Sequence, residues 1–249
     1  MIKISFVVLT KNEEKNIERC LQSIKPLADE ILVLDEFSTD KTVEIAKRFD
    51  ARVIQNKNSD DFAAARNLAM EQAKNEWVFL IDSDEEMIGG LEGIEVLGVD
   101  CYRIRRTDVM WGKELKHGEN GLWNEVRFAK KDAGKWEGRV HEVFKTQGSV
   151  GQLNDVYLKH YPHQSVAEFL SEINLYSEIR ARELCDMRTK SSVWQIMFYP
   201  LGKFLLDYVF LLGFLDGTPG FVLSVMMSFY SFLVRSKLYL LNRDRKLAS

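Results

Sequence analysis

The chain has 249 residues, of which 46% are hydrophobic and 29% charged, and its formal net charge at pH 7 is -3. This length allows one large domain with a substantial core, or one domain with an appendage, and the negative balance argues against a general nucleic-acid-binding protein. Three cysteines far apart in the chain argue against a disulfide framework or a zinc cluster. The first apolar run, residues 4–9, is too short for a signal peptide or a membrane span, so we expect a cytosolic chain.

Strands and helices alternate in the first third of the chain. Short β-rich runs end in polar residues, and the segments between them carry the apolar spacing or the capping residues of helices. Asn12 is the candidate N-cap of the first helix, and Pro26 ends that helix. This order predicts an α/β fold with a parallel or mostly parallel, Rossmann-like sheet and helices on both faces. The predicted strands cover residues 4–9, 30–34, 52–54 and 77–81.

Polar side chains follow these predicted strands. Thr10 and Asn12 follow the first strand, Asp35 the second, and Asp82 and Asp84 the fourth. Strand ends of a parallel sheet face the same way, so these groups are expected to converge on the edge where α/β proteins bind ligands. Two carboxylates one residue apart can hold a hard divalent cation, which in turn binds the phosphates of a nucleotide. The alternative is that the aspartates only cap helices or form turns.

The phosphate-binding loops of other nucleotide enzymes are missing from the sequence. Neither the glycine-rich dinucleotide motif nor the P-loop motif follows the first strand, which argues against a dinucleotide enzyme or a P-loop NTPase. Bound phosphates would therefore need a cation and basic side chains. Arg66 is the basic candidate, and its alternative role is that of a solvated helix residue.

The middle of the chain adds further strands and a second pair of candidate residues. Strands are predicted at residues 99–106, 123–128 and 156–160, and we expect them to extend the sheet and close over the acidic edge. After the second of these strands, His141 and Glu142 lie side by side behind an aromatic residue.

The chain changes character at residue 165. A capping box starts a charged helix that runs to about residue 188, and two strongly apolar segments follow at residues 193–215 and 221–241. The second segment has one narrow polar stripe and a basic end. We expect a helical hairpin lying in a membrane interface, with a dimerisation surface or a cap over the core as the alternative. The predicted domains are residues 1–164 and 165–249, the stripe is formed by Ser224, Ser228, Ser231 and Arg235, and the basic end by Arg235, Lys237, Arg243, Arg245 and Lys246.

Four motifs together resemble family 2 glycosyltransferases, which have the GT-A fold. They are VLTKNEE at residues 8–14, DEFSTD at 35–40, ARN at 65–67 and DSDE at 82–85, the last of which looks like the D-x-D motif of the family. Within the family, the chain is similar to lipopolysaccharide core glucosyltransferases, which join β-1,4-linked glucose to an inner-core heptose. One departure is Glu36-Phe37, where many relatives have Ser-Gly.

The resemblance implies that a nucleotide-sugar donor with a uracil base lies across the strand ends. Asp35 would then contact the uracil or the ribose, Arg66 the base or the diphosphate, and Asp82 the ribose. The donor-binding residues implied in this way are Thr10, Asn12, Glu13, Asp35, Arg66, Asp82 and Ser83.

The resemblance also implies a Mg²⁺ or Mn²⁺ cofactor. Asp84 would bind the metal, and His160 resembles the metal-ligating histidine of GT-A enzymes, with His163 as the competing choice. A cation held by oxygen ligands stabilises the negative charge that builds on the leaving diphosphate.

Family 2 enzymes invert the anomeric centre in a single displacement, so one general base suffices. We predict Glu142 as this base, with His141 as its orienting neighbour or as the alternative base. The competing interpretation is a structural ion pair of Glu142 with Arg139 or Arg127.

The function expected from the resemblance is metal-dependent transfer of a sugar, glucose, from a UDP-sugar to a lipid-linked saccharide acceptor of the lipopolysaccharide inner core. The enzyme would act at the cytoplasmic face of the inner membrane, with no nucleic-acid partner, and homo-oligomer formation is left open. The alternatives are another family 2 enzyme of cell-surface polysaccharide or glycolipid assembly, a nucleotidyltransferase, or a non-catalytic nucleotide-binding membrane adaptor.

Overall fold

In this computed structural model, the residues described are 2–57, 61–91, 98–119, 123–138, 142–162 and 165–247. The chain forms two compact units, one of residues 1–107 and 123–160 and the other of residues 108–122 and 161–249. The predicted boundary after residue 164 assigned residues 108–122 to the first domain, whereas these residues belong to the second unit. The division into the two functional domains stays a prediction.

The first unit is built on a sheet whose first half is parallel. Its first four strands and three helices alternate as predicted: β1 (Ile4–Thr10), α1 (Ile17–Ile24), β2 (Glu30–Asp35), α2 (Thr42–Arg48), β3 (Arg52–Gln55), α3 (Phe62–Gln72) and β4 (Trp77–Asp82), with a 3-10 turn at Lys25–Leu27. Strands β3, β2, β1 and β4 lie side by side in that order and run parallel.

Further strands follow in the chain, and most of them extend this sheet in antiparallel orientation. They are β5 (Glu85–Ile88), β6 (Cys101–Met110), β7 (Lys113–Glu114), β8 (Asn124–Lys130), β9 (Gly134–Glu137), β10 (Val143–Thr146) and β11 (Val150–His160). The order continues from β4 through β8, β6 and β11 to β5, and β9 and β10 form a separate hairpin. Strand β7 pairs with the last residues of β6, inside the second unit. The predicted α/β fold is thus confirmed, and the predicted strands of the middle region do join the sheet.

Helices cover both faces of the parallel half, because successive strand side chains point to opposite sides. Phe6 and Val8 of β1 pack with α1 and α2, whereas Val7 packs with α3. Each of these side chains is fully buried, and burial of one such side chain contributes roughly 1.5–3 kcal/mol. The alternating apolar pattern of the strands therefore places the sheet between two helical layers.

The start of α1 differs from the prediction. The helix begins at Ile17, and its N-cap residue is Asn16. Asn12 instead adopts a left-handed conformation with φ 55° and accepts hydrogen bonds from Thr39, so its prediction as the N-cap was wrong. Asn tolerates this backbone conformation better than most residues, and local sequence did not separate the two asparagines.

The second unit is mainly helical. It contains α4 (Val166–Asp186), α5 (Val193–Phe204), a π-helical turn (Leu205–Phe210), a 3-10 turn (Gly213–Asp216) and α6 (Gly217–Leu247). The predicted helical hairpin is confirmed as α5 and α6, which pack against each other. Among the described residues, one helical stretch, Gly213–Arg245, is long and apolar enough by length and composition to cross a membrane.

Candidate functional site

The ends of three parallel strands bring the predicted polar residues together in the first unit. Thr10 at the end of β1 pairs in register with Asp35 at the end of β2. On the other side of β1, Leu9 pairs with Asp82 at the end of β4. The carboxyl edge of the sheet thus places Thr10 between the two carboxylates, as the strand pattern predicted.

Two buried oxygen atoms at this edge are left without protein partners. Thr10 Oγ1 and Asp35 Oδ1 have no hydrogen-bond partner among the described residues, although both residues are buried. The other Asp35 oxygen accepts a hydrogen bond from the backbone of Ser38 at 2.9 Å, which fixes the carboxylate. Buried polar atoms are nearly always paired, so this pair of atoms fits a ligand that supplies the missing hydrogen bonds.

The loop after β1 is held in place by its neighbour after β2. Asn12 donates its backbone N–H to Ser38 Oγ at 2.8 Å and accepts one from the Thr39 backbone at 2.8 Å. The backbone N–H of Glu13 donates to Thr42 Oγ1, and its carboxylate accepts a hydrogen bond from Asn16. Asn12 and Glu13 therefore shape the edge of the site by bonding the loops to each other.

Alternating charges connect the strand ends to the candidate base. Arg66 donates from Nε to Glu142 Oε1 at 2.7 Å and from Nη2 to the Asp82 carboxylate at 3.1 Å. Arg127 donates to Asp82 at 3.1 Å and to Glu85 at 3.1 Å. Arg106 lies 3.6 Å from the same Glu85 oxygen. We call this set the charge chain: Glu142, Arg66, Asp82, Arg127, Glu85 and Arg106.

The charge chain keeps Asp82 ionised. Burial alone would raise the pKa of Asp82, but the guanidinium groups of Arg66 and Arg127 outweigh it and hold that pKa well below its usual range. In Glu85, which is fully buried, desolvation is the stronger effect and raises the pKa despite the nearby Arg127. The backbone N–H of Asp82 also donates to Glu85 Oε2 at 3.0 Å, which fixes the backbone at this residue. With two arginines bound to it, Asp82 suits a hydrogen-bonding role more than metal ligation.

Asp84 and His160 form the candidate metal pair. Asp84 lies in the turn between β4 and β5, and His160 at the end of β11 pairs in register with Glu85 of β5. Their side chains approach to 3.1 Å between Asp84 Oδ2 and His160 Nε2. Carboxylate oxygen and imidazole nitrogen both ligate Mn²⁺, and Mg²⁺ accepts the carboxylate. No group of three or more acidic, histidine or cysteine residues in the described ranges can hold a metal, so phosphate oxygens would complete the set.

Glu142 has a different partner from those that the sequence suggested. Its described ion pair is with Arg66, whereas Arg127 binds Asp82 and Glu85. Its side chain is 14% exposed, which leaves it within reach of a substrate. Arg139, His141 and His163, the other residues of these predictions, lie outside the described residues.

Arg66 is the centre of the site. It is buried at 6% exposure, its guanidinium lies over the Trp136 ring at 5.0 Å, and its Nη1 has no partner among the described residues. A solvated helix residue would have none of these features. Ser83, the remaining predicted donor residue, is buried and bonds through its backbone N–H to Leu9.

The sequence analysis missed the roles of Arg127, Glu85 and Arg106. Arg127 was considered only as a partner of Glu142, and Glu85 only as part of a motif. A signal was present for Arg127, because it interrupts a strand whose other central residues are apolar. A buried arginine in such a strand needs carboxylate partners.

Comparisons with known proteins found one matching family model, several similar proteins and several similar structures. Residues 5–91 match the sequence model of Glycosyl transferase family 2. The chain is 29% identical to an uncharacterized glycosyltransferase of Rickettsia typhi over 96% of this chain and 87% of that protein. It is also similar to two solved structures. For TarS of S. aureus the identity is 19% and the TM-score 0.46, with 71% of this chain and 39% of that chain covered. For glucosyl-3-phosphoglycerate synthase of Mycobacterium tuberculosis the identity is 27% and the TM-score 0.35, with 42% and 44% covered. The matched part is thus less than half of either solved chain.

Proposed function

We propose that this chain is a family 2 glycosyltransferase, which its match to the family model over residues 5–91 and its similarity to the Rickettsia typhi glycosyltransferase support. We further propose that it transfers glucose from a UDP-sugar to a lipid-linked saccharide acceptor, with inversion at the anomeric carbon. The acceptor we propose is the inner core of lipopolysaccharide. The observation on which this proposal rests is the convergence of Thr10, Asp35, Asp82 and Asp84 on one sheet edge, beside the buried Arg66.

The two unpartnered oxygens support a uracil nucleotide. Asp35 Oδ1 is an acceptor in need of a donor, and the N–H of a uracil ring is such a donor. Thr10 Oγ1 can either donate or accept, and it lies on the adjacent strand. Asp82, held ionised by two arginines, suits the hydroxyl groups of a ribose.

The diphosphate would lie against Arg66, Asp84 and His160. Arg66 Nη1 has no partner among the described residues, and arginine is well suited to phosphate oxygens. Asp84 and His160 would hold Mg²⁺ or Mn²⁺. When bound, the cation stabilises the negative charge that grows on the leaving diphosphate.

Glu142 is proposed to take the proton of the acceptor hydroxyl. As the hydroxyl oxygen bonds to the anomeric carbon, the bond from that carbon to the phosphate oxygen breaks and its electron pair leaves with UDP. The ion pair with Arg66 keeps Glu142 fixed in position before the acceptor arrives. For a role as base, this ion pair must loosen as the carboxylate turns to the hydroxyl.

We also propose that the second unit docks on a membrane surface, which would be the cytoplasmic face of the inner membrane. No residue of α5 is buried, and Trp194 and Phe210 are 68% and 73% exposed. On α6, an outward stripe of apolar side chains recurs every three to four residues. It consists of Phe221, Val225, Phe229 and Phe232. Such a broad apolar face fits a lipid interface, where a lipid-linked acceptor would also be found.

The basic end of α6 contributes less to this proposal than the sequence suggested. Lys237 donates hydrogen bonds to Asn174 and Ser177 of α4, and the Arg235 guanidinium lies over the Tyr199 ring at 4.3 Å. Arg245 donates to the Cys185 carbonyl at 3.0 Å. These cations are engaged inside their own unit, so the apolar face is the main support for docking.

The test is sugar transfer by the purified full-length protein with Mn²⁺, comparing UDP-glucose with other nucleotide sugars on a lipopolysaccharide inner-core acceptor. We expect UDP-glucose to be the best donor and linkage analysis of the product to show an inverted, β-linked glucose. Asp84→Ala should abolish metal-dependent transfer, whereas Asp50→Ala, at an exposed position of the same unit, should not change it. Preference for another donor, or full activity of the Asp84→Ala variant, would overturn the respective part of the proposal.

A further inference from the structure

Phe37 occupies an unusual position in the turn after β2. The turn runs from Asp35 to Ser38 and is closed by the hydrogen bond from the Ser38 backbone to Asp35 Oδ2 at 2.9 Å. Phe37 adopts a left-handed backbone conformation with φ 51°, and its side chain is 55% exposed. A bulky side chain rarely adopts this conformation, which glycine adopts freely.

Neither folding nor packing explains an aromatic residue here. The backbone conformation favours glycine, so the phenylalanine costs free energy in the folded state. Its ring is mostly exposed, so burial does not offset that cost. Strained residues of this kind occur where a side chain has a task that the fold alone does not require.

The frame around Phe37 is fixed on both sides. Ser38 Oγ accepts the backbone N–H of Asn12 at 2.8 Å, and Thr39 bonds to the Asn12 side chain. Glu36, inside the turn, forms an ion pair at 3.0 Å with Lys11 of the loop after β1. Phe37 is therefore presented on a pinned loop, two residues beyond the carboxylate whose Oδ1 has no partner among the described residues.

We propose that Phe37 is a donor-binding residue that stacks on the base of the donor nucleotide while Asp35 binds the edge of the same base. The inference rests on the proposed function and adds one residue to it. An aromatic ring provides an apolar face for a planar base, and a carboxylate oxygen provides the acceptor for its N–H. The phenylalanine would thus contribute affinity for the nucleoside part of the donor and none for its phosphates.

The test separates the base from the phosphates. Calorimetry with Mn²⁺ would measure the affinity of UDP, and of inorganic pyrophosphate as a probe without a base, for the wild-type protein and for Phe37→Gly, Phe37→Leu and Phe37→Tyr. We expect Phe37→Gly to bind UDP about tenfold more weakly, since loss of one base–aromatic stack has about this effect. Its affinity for pyrophosphate should not change. Phe37→Tyr should bind UDP as the wild type does, and Phe37→Leu should fall between Tyr and Gly because it keeps apolar area without the aromatic face.

The chain offers a matched control for the loss of a strained aromatic residue. Trp111 also has a left-handed backbone, with φ 52°, and is 45% exposed. Trp111→Gly should leave UDP affinity unchanged, and neither glycine variant should lower the melting temperature, because glycine relieves the strain. Equal UDP affinity of Phe37→Gly and the wild type would overturn the inference, as would an equal loss of UDP and pyrophosphate affinity. Absence of UDP binding by the wild-type protein would instead contradict the proposed function.

Discussion

The two units of this chain differ in how many large apolar side chains they leave exposed. In the first unit, apolar residues fill both layers of the core, and polar residues lie at the ends of the strands and in the charge chain. The second unit has an apolar cluster of its own and buries carboxylates and two serines, while many of its aromatic residues are exposed. Among the large hydrophobic side chains that are exposed in the described residues, four belong to the first unit: Phe37, Phe62, Val143 and Val150. The others lie in the second unit.

Polar contacts connect the helices and turns in the interior of the second unit. Asp216 accepts the backbone N–H groups of Lys116 and His117 at 3.0 and 2.8 Å, and Asp207 accepts that of Glu119. The serine stripe of α6 also turns inward, since Ser228 Oγ donates to the Pro200 carbonyl at 2.7 Å. These polar contacts join the helices and turns of the second unit from inside. The first unit therefore carries the candidate site, and the second unit carries the exposed apolar face.

Replacement of the proposed base gives the largest expected effect, and it acts on the first unit alone. Glu142→Gln should lower kcat by about 10²–10⁴-fold, because a glutamine cannot accept the proton of the acceptor hydroxyl. The amide oxygen can still accept the hydrogen bond from Arg66, and Asp82 keeps that arginine paired, so we expect the variant to remain folded. Vesicle binding should also stay unchanged. The measurement is steady-state transfer from UDP-glucose.

Glu137→Gln is the control for this substitution, since Glu137 is exposed in strand β9 and lies five residues before Glu142. It should keep full activity. A Glu142→Gln variant that retains a tenth or more of the wild-type kcat would show that the base is another residue, and it would return attention to His141.

Loss of a buried cation should destabilise the first unit strongly. Arg127→Met leaves the Asp82 carboxylate and the fully buried Glu85 carboxylate without their shared partner. Removal of one partner from a buried ion pair typically costs about 3–5 kcal/mol in the free energy of unfolding. Urea denaturation would measure this change, with the slope of unfolding free energy against urea expected to stay the same.

The matched control lies on the surface of the same unit. Arg48 pairs with Glu44 one helical turn away, and both side chains are 61% exposed. Arg48→Met should cost about 0.5 kcal/mol or less, as exposed pairs of this spacing do. Equal losses for the two variants would mean that the charge chain contributes no more than a surface ion pair.

The apolar face of the second unit provides the opposite test. Trp194→Ser and Phe210→Ser should each weaken binding to phosphatidylcholine vesicles by about tenfold, because each removes an aromatic side chain from the lipid interface. Transfer to a water-soluble acceptor analogue should not change. Val150→Ser, an exposed apolar residue of the first unit, serves as the control and should leave flotation unaffected.

The effect of anionic lipid on vesicle binding sharpens this test. Because Lys237 and Arg245 bond within their own unit, we expect addition of anionic lipid to strengthen binding by only a few-fold. Sedimentation of the protein without lipid would reveal the competing occupant, a second copy of this chain. The membrane proposal would be wrong if the wild-type protein did not bind vesicles and instead formed a concentration-dependent dimer. Loss of that dimer in Phe210→Ser would place the dimer contact on the apolar face.

Much of the first unit followed from local sequence, because strand period and strand-end polarity are properties of adjacent residues. Thr10, Asp35 and Asp82 were placed correctly at one edge by the rule that parallel strands end on the same side. The pair of Arg66 and Glu142 was not predicted, since 76 residues separate the two and no local pattern connects them. Their meeting depends on the β9–β10 hairpin, which the sequence analysis did not predict.

In the second unit, the sequence predicted the helices but not which way their faces point. Serines spaced along an apolar helix are compatible with a polar face toward water or toward a neighbouring helix. The structure directs Ser228 toward α5, whose Pro200 carbonyl accepts its hydrogen bond, whereas Ser224 is buried and bonds to the Gly220 carbonyl of its own helix. The start of α6 is closely packed, because a side chain on Gly220 would lie 2.2 Å from the Gly213 carbonyl. The periodicity of α6 contains no information on these partners.

The smallest expected effect concerns the buried carboxylate of the second unit and its response to pH. Burial raises the pKa of Asp207 above its ordinary value of 3.8, and neighbouring Lys203 only partly offsets this. The folded state therefore binds a proton more tightly than the unfolded chain, and stability is lost as pH rises from about 3.8 through the raised pKa. Each unit of pKa difference corresponds to about 1.4 kcal/mol. Asp207→Asn removes this titration, so the difference in unfolding free energy between wild type and variant should shift in favour of the variant between pH 4 and pH 7. Denaturation at intervals across that range would measure it, and a difference that is constant with pH would show that Asp207 titrates alike in the folded and unfolded chain.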